Sequence, residues 1–479
     1  MKQLKKTKII ATIGPSTDTM EKIQELYNAW ANVVRVNYSH SNYSYFEKLI
    51  GNVTKLNNKW KTNLSILTDT KWPEIRTKAI DNKVELEKDE IFILTTIANE
   101  ANITNSDNKK VIVCDYEYIT TDLEVWNIVD IDTWLLKALI IEKKPWELIC
   151  EALNKHTIWS KRHINLPWIK IHLPWITDTD KEDIKFAVKQ WTDFIALSFV
   201  RNKWNINELR TYLEKLDAPK DIQIISKIEN QEALDNLDEI ILESDGIMIA
   251  RWDLWAEVPY ESLPVIQKMI ADKCKEAWKF FIVATQILET MTENPIPTRA
   301  EVTDIFNAVM QEADCTMLSW ETAAWKYPIE TVTTMKSILK YSETQVKYKH
   351  KWFKRDLWWE EENNKLLIKN AIFTAESLKA KAIILFSSHW FTARSAAAFR
   401  SKLPIFTFTY SDSTLKKLNI LFWLKSFVID KKTKVENINT AIELLKENEL
   451  LDDWNQIVAI YWINKDPDIT PSIQVINVK

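Results

Sequence analysis

The sequence predicts an α/β protein built on a (β/α)8 barrel of the TIM type, with an inserted β domain after strand 3 and a C-terminal α/β domain. Three observations carry that expectation. Eight short apolar runs recur at a regular pitch, most of them separated by helical patterns. The third and fourth runs stand about 125 residues apart, far beyond an ordinary strand-to-helix connection. After a charged stretch at 345–364, a new strand-and-helix pattern begins.

The candidate strands are 8–13, 32–36, 64–68, 193–197, 222–226, 246–250, 280–284 and 314–318. Each is short and β-rich, the continuous pattern of a parallel strand buried on both faces. Helical patterns at 19–30, 42–58, 180–190, 261–277 and 299–312 alternate with them, and eight such units close as a barrel. Between the third and fourth strands, the pieces 83–86, 91–95, 111–114, 128–131 and 135–141 read as strands. They predict a β-barrel lid at the mouth of the larger barrel. Further strands at 382–386, 404–408, 426–429 and 457–461 form the third domain. The expected boundaries are 1–70 and 171–342 for the catalytic barrel, 71–170 for the lid and 343–479 for a C-terminal regulatory domain.

Composition narrows the function. A chain of 479 residues that is 46% hydrophobic and 27% charged can bury a large core. A net charge of −4 gives no basic field for nucleic acid or an anionic membrane, so neither is an expected partner. Cys114, Cys150, Cys274 and Cys315 lie far apart, which predicts neither zinc nor disulfides and suits a reducing cytoplasm. The basic start is followed by no apolar run of signal-peptide kind, and no segment reaches the ~18 apolar residues of a membrane span.

One count is abnormal. The chain has 3 Gly and 23 Trp, whereas glycine ordinarily supplies about 7% of residues. The two counts together make an ordinary glycine share. Many Trp stand in turn-like contexts such as Lys71-Trp72-Pro73, Pro174-Trp175 and Arg251-Trp252-Asp253. Turns want positive φ and close backbone approach, which glycine supplies and an indole does not. The pattern is that of a UGA codon read as glycine by the source and written as tryptophan.

Polar residues gather where the strands end, the side of a barrel that carries its active site. In order, the ends read Thr12-Ile13-Gly14-Pro15, Arg35-Val36-Asn37-Tyr38-Ser39-His40, Asp69-Thr70-Lys71, Ser198-Phe199-Val200-Arg201, Lys227-Ile228-Glu229, Arg251-Trp252-Asp253, Thr285-Gln286 and Ser319-Trp320-Glu321-Thr322. Glu229 and Asp253 are hard oxygen ligands on adjacent strands, suited to Mg2+ completed by substrate oxygens and water. Lys227, two residues from Glu229, shares its face. It can neutralise charge on a transferring phosphoryl group or an enolate, and Arg35 and Arg76 can fork onto phosphate. Asn37, Ser39, Asp69 and Thr70 make an all-oxygen set with one formal charge, which reads either as a hydrogen-bonded loop pair or as a monovalent-cation site. Neither GxxxxGK[ST] nor GxSxG is present, and the six histidines show no metal-ligand spacing.

These motifs resemble pyruvate kinase. The resemblance rests on the runs 7–16, 32–40, 69–77, 225–230, 250–255, 284–286, 297–301 and 317–328, in the right order along nearly the whole chain. It implies phosphoryl transfer from phosphoenolpyruvate to ADP, giving pyruvate and ATP, with Mg2+ and K+. By that resemblance Lys227 stabilises the phosphoryl group and the enolate, Arg35 contacts the phosphoryl group, and Thr285 lies near the proton relay. Glu229 and Asp253 take Mg2+; Asn37, Ser39, Asp69 and Thr70 take K+; Glu74 marks K+ dependence. Backbone N–H groups of Ala250, Arg251 and Trp252 hold the substrate carboxylate, and Ser319 and Glu321 line the far wall. Thr12, Pro15, His40, Arg76 and Lys161 fall on the nucleotide side.

The loop after strand 382–386 resembles the family's effector phosphate loop, with Ser387, Ser388, Thr392, Arg394 and Ser395 as candidates for a sugar phosphate or nucleotide. The family implies a cytoplasmic homotetramer. The commonest departures are Trp at family glycines, and His163 also replaces one. Two other readings stay open: a catalytically inactive effector-sensing or scaffold homologue on the same fold, and another barrel enzyme acting on phosphoenolpyruvate or pyruvate. The nucleotide-side residues and the large insertion disfavour the second.

Overall fold

The computed structural model describes residues 4–40, 42–60, 62–71, 75–79, 83–97, 109–132, 134–167, 169, 172, 176–346, 359–388, 390–462 and 472–479. Eight parallel strands close into a barrel: β1 (Lys8–Thr12), β2 (Val33–Asn37), β3 (Ser65–Asp69), β4 (Phe194–Leu197), β5 (Gln223–Ile228), β6 (Gly246–Ala250), β7 (Phe280–Ala284) and β8 (Cys315–Leu318). Each pairs with the next, and β8 returns to β1 through Lys8↔Cys315 and Ala11↔Leu318. Alternation sorts the side chains. Ile9, Ala11, Phe281 and Val283 face the surrounding helices. Ile10, Phe280, Ile282 and Ala284 fill the barrel, in a core that runs on into the C-terminal domain. Gly246 is required where β6 meets β7, because a Cβ there would lie 2.2 Å from the Phe280 ring.

The insertion between β3 and β4 contains a six-stranded sheet and a two-stranded ribbon. The two edges of the larger sheet are bridged by one segment, Arg76 pairing with His163 and Thr77 with Cys114. The sequence reading missed Glu147–Ala152, His156–Ile158 and Ile164–Asn165, which complete these sheets. In the C-terminal domain four parallel strands carry an antiparallel edge, Ser472–Asn477, that had no expected counterpart. The last barrel helix runs Pro328–Gln345, past the expected boundary at 342. Its Glu343 accepts backbone N–H bonds from Lys6 and Thr7 at 2.9 and 2.7 Å, which ties that turn to the barrel floor. Across the floor, Arg400 forks onto Asp314 at 2.8 and 2.7 Å, joining the C-terminal domain to the start of β8.

Left-handed backbone is concentrated at tryptophan. Six of the nineteen described non-glycine residues with positive φ are Trp, and no glycine is among the positive-φ positions. Trp30, Trp191 and Trp278 each follow the C-cap of a barrel helix, with φ of 86°, 57° and 60°. The residue after each closes the helix end by bonding back five residues, as in Ala31 to Leu26 (3.0 Å) and Lys279 to Cys274 (2.9 Å). Glycine is the usual occupant of this position, because a Cβ there crowds the following carbonyl. Trp191 is also 75% exposed, so its indole gains little in return. Trp191→Gly is therefore expected to stabilise the fold by about 1 kcal/mol. Urea unfolding would read this as a higher midpoint at constant slope; an unchanged or lower midpoint counts against it.

Candidate active site

The barrel geometry brings the polar ends of β2, β3, β4 and β5 to one rim, and there they form a buried charge network. Asp69, only 1% exposed, accepts from Arg35 Nε at 2.7 Å and lies 3.3 Å from Lys227 Nζ. Lys227 also sits 2.7 Å from Glu229, which is fully buried. Burial by itself pulls the Lys227 ammonium down, but Asp69, Glu229 and Asp253 hold it above its ordinary value. Burial pushes Asp69 up, and Lys227 and Arg35 overcome that and hold it below the ordinary carboxylate value. Both shifts say the same thing: Lys227 and Asp69 stay charged because they are paired.

Two residues that the sequence reading left without a role complete the network. Ser198 Oγ accepts from Lys227 at 2.9 Å and itself reaches Asp69 (3.3 Å) and the Thr70 carbonyl (3.2 Å). Phe199, left-handed at φ 48°, aims its N–H at Glu229 Oε2 over 2.6 Å. The signal for both was their place at the end of the fourth strand. Their partners come from strands distant in sequence, which spacing alone does not reveal.

Thr12 is 4% exposed, and its hydroxyl donates to the Leu318 carbonyl (2.8 Å) and accepts from Arg35 (3.0 Å), so it supports Arg35. Pro15 is exposed at the same rim, over Gly14, where a Cβ would lie 2.8 Å from the Ala323 carbonyl. Arg76 and Lys161 meet in the lid, Arg76 Nη1 bonding the Lys161 carbonyl at 2.9 Å. His163 pairs its backbone with Arg76 and is not among the left-handed residues, so glycine is not needed there. Glu74 and the His40 side chain lie outside what the structure describes.

Asn37 faces Asp69 in register and accepts the Ser39 N–H at 3.1 Å. Thr70, 4% exposed, follows Asp69 directly, so these residues lie at the adjacent ends of β2 and β3. Across the rim, the Trp252 N–H donates to Thr285 Oγ1 at 2.9 Å. The Trp252 indole packs 4.9 Å from that of Trp134 in the lid. Glu321 is 3% exposed and accepts the Ser319 N–H; burial, with Glu289 nearby, pushes it up to about 7. The arrangement offers two cations that suit a phosphoryl group, two carboxylates (Glu229 and Asp253) that suit a divalent metal, and a hydroxyl and an acid at the ends of β7 and β8. Glu229 and Asp253 carry no imidazole or thiolate beside them, a donor pair that fits Mg2+ completed by substrate oxygens.

In the C-terminal loop, Ser387, Thr392 and Ser395 are buried, and only Ser388 and Arg394 of the five candidates reach partial exposure. Arg394 lies over the Trp390 and Phe391 rings at 4.6 and 5.2 Å.

Comparison with known proteins agrees with this geometry. Residues 4–332 match the family model described as "Pyruvate kinase, barrel domain", and 366–475 match "Pyruvate kinase, alpha/beta domain". The chain is 37% identical over 460 residues to a pyruvate kinase of Borreliella burgdorferi, covering 95% of this chain and 93% of the relative. It is 37% identical over 422 residues to one of Bacillus licheniformis, covering 88% and 71%. The crystal structure of a pyruvate kinase from Cryptosporidium parvum superimposes with a TM-score of 0.92 at 32% identity, covering 99% of this chain and 96% of that one. A buried Arg–Asp–Lys–Glu network on the rim of a closed barrel, carried by a sequence this similar over its full length, places the chain in the pyruvate kinase family.

Proposed function

We propose that this pyruvate kinase is a Mg2+- and K+-dependent cytoplasmic homotetramer, in which Lys227 and Arg35 carry the charge of the transferring phosphoryl group. The observation that supports this best is the Asp69 carboxylate held between Arg35 and Lys227, which fixes both cations on one rim. Glu229 and Asp253 would hold Mg2+, and Asn37, Ser39, Asp69 and Thr70 would hold K+; when bound, these cations supply further neutralising charge. Phosphoenolpyruvate enters with its carboxylate toward the N–H groups of Arg251 and Trp252. ADP approaches past Pro15, Arg76 and Lys161. The bond between phosphorus and the enol oxygen breaks while a bond to the terminal ADP oxygen forms. Positioning and charge neutralisation lower this barrier. The enolate left behind takes a proton at its methylene carbon, on the side where Thr285, Ser319 and Glu321 stand. Among the described residues no helix is long and apolar enough to cross a membrane.

The left-handed tryptophans and the Trp252–Trp134 contact also support glycine at most Trp positions in the native protein, from a UGA codon. An indole at 252 crowds the place where backbone must meet the substrate carboxylate. Two versions of the chain test both readings: one as written, the other with Gly at all 23 Trp positions. In a lactate-dehydrogenase-coupled assay, K+-dependent turnover is expected only from the glycine version. Tryptophan found by peptide mass spectrometry of native protein across 72, 252 and 320 would overturn the codon reading. In the active version, Lys227→Met is expected to lower kcat by about 1000-fold with the fold intact, in line with loss of one charged transition-state contact; normal turnover removes Lys227 from its role.

Glu321 gives a pH signature. Its folded value, about 7, lies above its ordinary 4.5. The folded state therefore keeps a proton that the unfolded chain has lost, and its stability falls as pH rises through that window. Glu321→Gln is expected to flatten this fall by about 3 kcal/mol. Thermal melts of both proteins across the window read the difference, and parallel curves would refute it.

A further inference from the structure

Three residues beside the substrate side of the rim stand in the left-handed region: Thr285 at φ 65°, Gln286 at 51° and Leu288 at 59°. For the β-branched Thr285 this is a genuine outlier, and such strain persists only where surrounding contacts over-determine it. Here the turn makes the carbonyls of Ala284, Thr285 and Gln286 converge, and the Arg251 guanidinium fills the point of convergence. Nε reaches the carbonyls of Ala284 (3.1 Å) and Thr285 (3.2 Å), and Nη2 those of Thr285 and Gln286 (3.1 Å). Nη1 turns the other way and bonds Asp304 at 2.7 Å, with the Arg251 side chain only 8% exposed.

Asp304 lies on the helix Arg299–Met310. One turn earlier on that helix, Glu301 accepts the Thr290 N–H and hydroxyl at 2.8 and 2.6 Å. One helix thus grips both ends of the strained turn. The turn in turn sets Thr285 Oγ1, which accepts from the Trp252 N–H and donates to the Ala284 carbonyl at 2.7 Å. Barrel closure does not need this clasp. The ladder between β6 and β7 is complete at Ala250↔Ala284, immediately before Arg251 and Thr285.

We propose that Arg251 and Asp304 are positioning residues for the reaction: the Arg251 fork, anchored by Asp304, holds the left-handed 285–286 turn and so fixes the Thr285 hydroxyl against the carboxylate-binding N–H of residue 252. The side chain of Arg251 is fully committed to this and gives the substrate only its backbone. Lysine cannot replace it, because a point charge cannot bridge three carbonyls and a carboxylate at once. The proposal rests on the role given to Thr285.

The test uses Arg251→Lys, Asp304→Asn, Gln286→Gly, the Arg251→Lys/Gln286→Gly double variant and Thr285→Val in the active enzyme. Glycine takes positive φ freely, so Gln286→Gly removes part of the strain the clasp must hold. Arg251→Lys is expected to lower kcat about 100-fold, the cost of misplacing a reacting group by an ångström, with KM for phosphoenolpyruvate little changed. Asp304→Asn should fall about 10-fold, as for a weakened anchor. Gln286→Gly alone should turn over normally and should restore about 10-fold in the double variant, which a clasp needed only for folding would not show. Circular dichroism and melting curves check that each variant is folded. The proposal is overturned by Arg251→Lys turning over within about threefold of the parent while Thr285→Val is impaired. It is also overturned by a double variant that recovers melting temperature but not kcat. Normal turnover by Thr285→Val would instead remove the role of Thr285 itself.

Discussion

Everything on the catalytic rim depends on one electrostatic constraint: Asp69 is buried and ionised between two cations. A lone carboxylate at 1% exposure would shed its charge; Arg35 and Lys227 prevent it. The dependence runs both ways. Burial pulls the Lys227 ammonium down, and Asp69, Glu229 and Asp253 more than offset it. The network is therefore a unit, and its members come from β2, β3 and β5 and the segments just beyond them. Only a closed parallel barrel delivers those strand ends to one place, so the apolar core and the charged rim are two consequences of the same topology.

Legibility from the sequence followed the range of the interaction. The eight strands were readable because burial on both faces writes a continuous apolar run into local sequence, and β6 and β7 fall where the pattern placed them. Lys227 and Glu229 were readable as neighbours because two residues span one strand repeat. Ser198, Phe199 and Asp304 were not, since each acts on a partner from another strand or helix. The strands 147–152, 156–158 and 164–165 of the insertion were missed for a related reason: the last two are only two or three residues long, and 147–152 is a short run fixed by partners on both sides. Thr12 shows a further limit: its place at the rim was legible, but its hydroxyl's bond to the Leu318 carbonyl, from the far end of the barrel sequence, was not.

The C-terminal domain is joined to the barrel by more than apolar contact. Arg400 follows the helix Trp390–Ala398, and its bidentate partner Asp314 immediately precedes β8. β8 leads directly into Ser319 and Glu321. One helix and one strand thus separate the C-terminal loop from the far wall of the site, with a buried ion pair between them. Breaking one partner of such a pair leaves an uncompensated charge, so the two domains are bound to a single relative placement at that point.

The left-handed residues divide into two kinds, and the division explains what strain means in this chain. At Trp30, Trp191 and Trp278 the conformation is demanded by helix termination, which glycine would satisfy; the Trp191 indole is largely exposed, whereas that of Trp278 is buried against Phe399. At Phe199, Thr285 and Gln286 a glycine would satisfy the backbone equally well, yet the chain uses side chains that resist the conformation. There the resisting residues sit beside named polar contacts: the Phe199 N–H on Glu229, and the Thr285 hydroxyl on the residue 252 N–H. At 285–286 the Arg251 fork, anchored by Asp304, holds the conformation against the side chains that resist it. Strain at the exposed Trp191 is a cost with little return, and strain at the rim persists where named polar contacts over-determine the backbone.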